Sequence, residues 1–195
     1  MQNLKASLDA SISRWNLLTH PFYRAWSEGT LPVTKLQRYA AEYGGFINTI
    51  AANWRAAGEE VIADEEETHF AMWNDFAHTL GAPEIQATLP ETKALVERSR
   101  TAAALPATAL SALYAFEAQQ PHTTASKHEG LRRFYPQLSI DDTYFGVHMN
   151  EDHEAAILLR KMEALPLAAQ ETALVACEAM SQALWDALSG IDATS

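Results

Sequence analysis

The sequence is poor in the residues that would tie it to a membrane, a nucleic acid or an oxidising compartment. It has a single cysteine, Cys177, so no intrachain disulfide can form, and a reducing cytoplasm is the expected location. Lysine and arginine number 14 against 25 aspartates and glutamates, a net charge of −11, and no basic cluster is longer than Arg132-Arg133. Nucleic acid and anionic membranes are poor partners for such a chain. Apolar runs fall well short of the roughly 20 residues of a membrane span. The opening MQNLKASLDASISRW lacks the charged start and apolar core of a signal peptide. β-Branched runs are scarce, and the 8 glycines and 8 prolines fall mainly between periodic segments.

What remains is rich in alanine and leucine, a composition that predicts an all-α protein. A length of 195 residues suits one domain, 1–195, with a substantial core. Period and breakers predict a bundle of about seven to nine helices. A first helix covers 4–18, and a short segment from Pro21 ends at Gly29. A long helix, capped by Thr34, runs to about Ala57, with Gly44-Gly45 marking a kink or a close approach. Others cover about 62–80 and 90–103. The next two are separated by Pro121, and the second of them carries Lys127 and His128. Ser139 and Asp141 are cap candidates before a helix with the seam Phe145, His148, Asp152, Ala155, Leu159 and Met162. A last helix carries Leu174, Cys177, Ser181, Leu184 and Leu188 and ends at Gly190.

Three of these apolar seams are interrupted by metal-ligating side chains. Glu117 continues the stripe of Leu110, Leu113 and Tyr114. Glu66 and His69 share the face of Ile62, Trp73 and Phe76, and His148 and Asp152 share that of Phe145. A carboxylate on an apolar face is costly unless it is paired, protonated or bound to a metal. Facing carboxylates and histidines in a helical bundle form iron or manganese sites, one or two ions, whereas iron–sulfur clusters need thiolates that this chain lacks. Taken singly, each residue has a plainer explanation: a hydrogen-bonded core histidine, or, for Asp64 to Glu67, a solvated acidic first turn. It is the coincidence on three helices that favours a metal. His153 is rotated about 100° from the Asp152 seam and reaches it only through a π-bulge.

The segments HPFYRAWSEGTLPVTKLQRYAAEY, DEEETHFAMWNDFAHTLG, ALYAFEAQQPHTTASKHEGLRRFY and YFGVHMNEDHEAA resemble the superfamily that includes TenA and PqqC, which has a haem-oxygenase-like fold. Within it the likeness is to the subgroup of the chlamydial protein associating with death domains, the CADD-like proteins. The resemblance implies a dimetal centre with Glu and His from one helix, a lone Glu from the next, and a His-x-x-x-Asp-x-x-His run. Carried across, these are Glu66 and His69, Glu117, then His148 and Asp152. The family's first Glu-to-His spacing is longer than in DEEETH, so Glu65 competes with Glu66. The last histidine of the run would fall on Ala155, leaving its place to His153 or water.

CADD-like enzymes are self-sacrificing p-aminobenzoate synthases: a metal centre activates oxygen, a tyrosine supplies the ring, and a lysine is implicated as amine donor. The matching positions are Tyr23, Tyr39 and Lys127. The resemblance thus implies an iron- or manganese-dependent oxygenase that makes p-aminobenzoate for folate synthesis, with dioxygen and small molecules as partners and a homodimer by family habit. The alternatives are a metal oxidase acting on an external fatty or amino acid, a TenA-like hydrolase using Cys177, and a helical interaction protein.

Overall fold

Helix boundaries follow the breakers and caps. Pro21 opens a short helix whose second residue, Phe22, donates its N–H to the His20 ring at 3.1 Å. Gly29, with φ of 71°, turns the chain away in the left-handed region. The structure is a computed structural model describing residues 3–149 and 153–194. Its helices are α1 (Leu4–Arg14), α2 (Pro21–Ser27), α3 (Val33–Ile47), α4 (Ile50–Ala56), α5 (Glu60–Thr79), α6 (Pro90–Ala102), α7 (Pro106–Glu117), α8 (Gln120–Phe134), α9 (Thr143–His148), α10 (His153–Glu163) and α11 (Leu167–Asp192), with 3-10 turns at Leu17–Thr19 and Pro136–Leu138. Among the described residues there is no strand, as the composition predicts. Counted as the sequence pattern presents them, with α3 and α4 as one helix and α9 and α10 as one, the helices among the described residues number nine.

α7 is buried on every side from Ala109 to Glu117. A helix that is apolar all round belongs in the middle of a bundle, and α7 is packed by α4, α6, α8, α10 and α11. Glu117 is its last residue, so the central helix itself delivers that carboxylate to the interior. Among the described residues no helix is long and apolar enough to cross a membrane.

Several boundaries differ from the sequence pattern. The first helix stops at Arg14, and Asn16 Oδ1 then accepts the N–H of Leu18 at 3.1 Å to start the 3-10 turn. Thr34 lies inside α3, whose cap position is Pro32. The long third helix is cut at Asn48–Thr49, not at its glycines. There Thr49 Oγ1 and Asn53 Nδ2 both bond Ser99 Oγ, at 2.6 and 2.8 Å, so a residue of α6 stabilises the break. The glycines serve close approach instead: a Cβ on Gly44 would lie 2.5 Å from Trp73 Nε1, and one on Gly45 3.0 Å from the Ala87 nitrogen. The buried Glu42 pins the segment before α6, accepting the N–H groups of Thr88 (2.6 Å) and Leu89 (3.2 Å) and the Thr92 hydroxyl (2.6 Å).

Ser139 ends the second 3-10 turn in the left-handed region, φ 47°, while Asp141 Oδ1 accepts the N–H of Thr143, the first residue of α9, at 3.0 Å. α9 ends at His148 and α10 starts at His153. The buried face of α10 is Glu154, Leu158 and Met162, one residue out of register with the expected Ala155 and Leu159. Gly190 lies within α11 rather than ending it; its hydrogen leaves room for Glu91, whose Oε2 would be 2.5 Å from an added Cβ.

Candidate metal centre

Four helices bring acidic and imidazole side chains to one buried place. On α5, Glu66 and His69 stand three residues apart on the inner face, while the outer face carries Asp64 and Glu67 paired with Arg55 at 2.9 and 2.8 Å. One residue of helix is a rotation of about 100°, which separates the buried Glu66 from the exposed Glu65. Glu117 comes from the end of α7, His148 from the end of α9 and Glu154 from the first turn of α10. The dipole of α10 favours a carboxylate at its start, whereas Glu117 sits at the negative end of its helix and needs another source of stabilisation.

The contacts define two overlapping groups. His69 Nδ1 lies 3.3 Å from Glu66 Oε1, and His148 Nε2 lies 3.9 Å from the same oxygen. The two imidazole rings meet edge to face at 4.4 Å. His148 Nδ1 donates to the Tyr144 carbonyl at 2.7 Å, which leaves the Nε2 lone pair toward Glu66. Burial, with His69 beside it, lowers the His148 pKa to about 3, so the ring is neutral as a ligand must be. Glu66, Glu117 and Glu154 form the second group, and in each group the ligand atoms lie within 4.8 Å of one another.

Burial, then the neighbouring Glu154 and Glu66, push the Glu117 carboxyl well above the usual range. Trp54 Nε1 donates to Glu117 Oε1 at 3.3 Å, while Oε2 is buried with no hydrogen-bond partner among the described residues. A divalent cation would satisfy that oxygen and relieve the repulsion among the carboxylates, so the donor set fits a divalent metal ion.

Beyond the cluster lies a second set of buried polar groups. Tyr23 of α2 and Tyr39 of α3 share a hydrogen bond of 3.0 Å between their hydroxyls, and Lys127 Nζ of α8 donates to the Tyr39 hydroxyl at 3.4 Å. Gly130, one turn after Lys127, lets Trp26 lie directly on α8: a Cβ there would come within 2.8 Å of the indole. Burial lowers the Lys127 pKa to about 7 and raises those of Tyr23 and Tyr39 well above their ordinary value. Aromatic contacts join the two sets: Tyr39 to Trp73 at 5.7 Å, Trp73 to Tyr144 at 4.8 Å and Tyr144 to His148 at 4.2 Å.

The structure therefore brings together Glu66, His69, Glu117 and His148, and separately Tyr23, Tyr39 and Lys127. Glu65 and His153 are exposed and belong to neither group; Asp152 lies outside the described residues. Glu154 was missed, although Glu154, Leu158 and Met162 at four-residue spacing were a legible stripe. Cys177 is fully buried and its thiol is pushed up to about 12, which removes the nucleophile a TenA-like hydrolysis requires.

The fold is that of the haem-oxygenase-like proteins. The chain matches the crystal structure of a TenA homologue from Pseudomonas syringae with a TM-score of 0.80 at 14% identity, covering 99% of this chain and 92% of that one. A domain with a haem-oxygenase-like fold from Shewanella denitrificans matches with a TM-score of 0.74 at 16% identity, covering 98% and 92%. No protein-family model matches the sequence. Curated relatives carry the name 4-aminobenzoate synthase. One from Nitrosomonas europaea is 33% identical over 96% of this chain and 90% of its own length, and one from Chlamydia pneumoniae is 30% identical over 74% of each. The chain belongs to the 4-aminobenzoate synthase family.

Proposed function

We propose that this chain makes 4-aminobenzoate (p-aminobenzoate) from its own Tyr23, with Lys127 as the amine donor and dioxygen as oxidant. The observation that carries the reading is a fully buried lysine held against two tyrosines, beside the Glu/His cluster, in a relative of the 4-aminobenzoate synthases.

The product has an amine para to a carboxylate, and tyrosine has a hydroxyl para to Cβ. The ring carbon must therefore exchange its oxygen, lost as water, for the Lys127 nitrogen, whose Cε–Nζ bond breaks. Cβ must be oxidised by dioxygen to the carboxylate and parted from Cα. Lys127 Nζ lies 5.1 Å from the centre of the Tyr23 ring. With a pKa of about 7, a large fraction of its amine is neutral near neutral pH and has a lone pair to offer. Tyr39 bonds both the Tyr23 hydroxyl and the Lys127 nitrogen, and so orients donor and acceptor together. Burial of all three excludes water from the competing reaction. Iron or manganese held by Glu66, His69, Glu117 and His148 would supply the activation of dioxygen. The partners are thus small molecules and dioxygen, and we place the activity in the cytoplasm, where the single thiol stays reduced.

Protein carrying ring-labelled tyrosine, loaded with iron and manganese and exposed to air, should release labelled 4-aminobenzoate and stop after at most one turnover per chain. Tyr23→Phe and Lys127→Arg should release none. Product from the Tyr23→Phe variant would end the ring-donor assignment, and many turnovers per chain would favour oxidation of an external substrate.

A further inference from the structure

Glu154 comes from α10, Glu117 from α7 and Glu66 from α5. Each is at most 4% exposed, and their ligand oxygens lie within 4.8 Å of one another. Three separate helices converge here, so the cluster is not a by-product of local sequence. Burying three carboxylates together is costly unless protons or a cation offset their charge. Glu117 is a member of the three with an oxygen left to be satisfied. Its Oε1 is occupied by the Trp54 N–H, and its buried Oε2 has no hydrogen-bond partner among the described residues. Glu117 also lies within hydrogen-bonding reach of Glu154, and a single divalent ion between the three carboxylates would satisfy that oxygen and offset their charge together.

We propose that Glu154 is a metal ligand that closes a second, all-carboxylate lobe of the centre, sharing Glu66 with the lobe of His69 and His148. The inference rests on the metal-dependent reading above and adds to it a residue and a division of labour. The histidine lobe offers nitrogen and oxygen donors, and the carboxylate lobe offers oxygen alone, which suits a hard divalent cation such as manganese(II). Glu66 can serve both lobes because its Oε1 faces the two imidazoles while its carboxylate also reaches Glu117 and Glu154. His153, adjacent in sequence but exposed, has no part in either.

The test is a titration of the full-length apoprotein with manganese(II) chloride, reading free ion by electron paramagnetic resonance and bound ion by elemental analysis. Wild type should take up a first and a second equivalent. Glu154→Gln, close to isosteric, should keep the first and weaken the second by more than about 100-fold, beyond the loss typical of an outer-shell partner. Glu154→Asp, which keeps the charge but withdraws it, should fall between, and His153→Ala should match wild type. Unchanged thermal unfolding of the apo variants guards against misfolding. Two undiminished equivalents in Glu154→Gln would overturn the proposal, as would a single equivalent in both wild type and variant, which leaves the histidine lobe standing. No uptake by wild type would remove the metal-dependent reading itself, and this lobe with it.

Discussion

Lys127 Nζ sits 5.1 Å from the centre of the Tyr23 ring and 5.4 Å from that of Phe145, and no carboxylate pairs with it among the described residues. A lysine is seldom buried in this way. The cost of its charge is the physical origin of its lowered pKa, and the proposed chemistry draws on the neutral amine that results.

That burial has a sign that can be checked. The folded pKa is about 7 against 10.5 in an unfolded chain. Between those values the unfolded chain binds a proton that the folded chain does not, so this group makes stability rise with pH across the window, and its destabilising effect is full below it. Lys127→Met should be more stable than wild type at low pH, and its advantage should shrink by about 2–3 kcal/mol between pH 6 and pH 9. Urea unfolding of both proteins at the two pH values measures this. A constant difference would mean that the ammonium is accommodated in the fold.

Trp54 should act on metal binding through Glu117. Trp54→Phe removes the N–H that occupies Glu117 Oε1 and should weaken manganese binding about 10- to 100-fold. Trp26→Phe is the control: Trp26 is equally buried, but its Nε1 has no hydrogen-bond partner among the described residues and lies outside the cluster. Both variants should lose about 1–2 kcal/mol of stability, and only the first should lose affinity.

Gly44→Ala should destabilise by about 1–3 kcal/mol, because its new methyl meets Trp73 Nε1 at 2.5 Å and Ile85 Cγ2 at 2.8 Å. Displacing the indole also strains its 2.9 Å bond to the Ala40 carbonyl, so tryptophan fluorescence should shift. Wild-type stability with an unchanged emission maximum would contradict the close approach.

Much of this was determined by sequence alone. Helical period places Glu66 with His69 and aligns Glu117 with Leu110, Leu113 and Tyr114, because side chains three and four apart in a helix must share a face. Composition settles the all-α class, and the family likeness supplied Tyr23, Tyr39 and Lys127. Tertiary structure decided what period cannot, namely where a helix stops and which face meets a neighbour. The long third helix breaks where Ser99, fifty residues beyond Thr49, offers hydrogen bonds to the chain. The inner face of α10 lies about one residue, about 100°, from the seam through Ala155 and Leu159, so it is Glu154 that is buried. Packing of α8 on Trp26 through Gly130 buries a lysine that composition would leave in water. Within a helix azimuth is a local property, whereas termination and burial are set by partners distant in the chain, and it was those partners that completed the site.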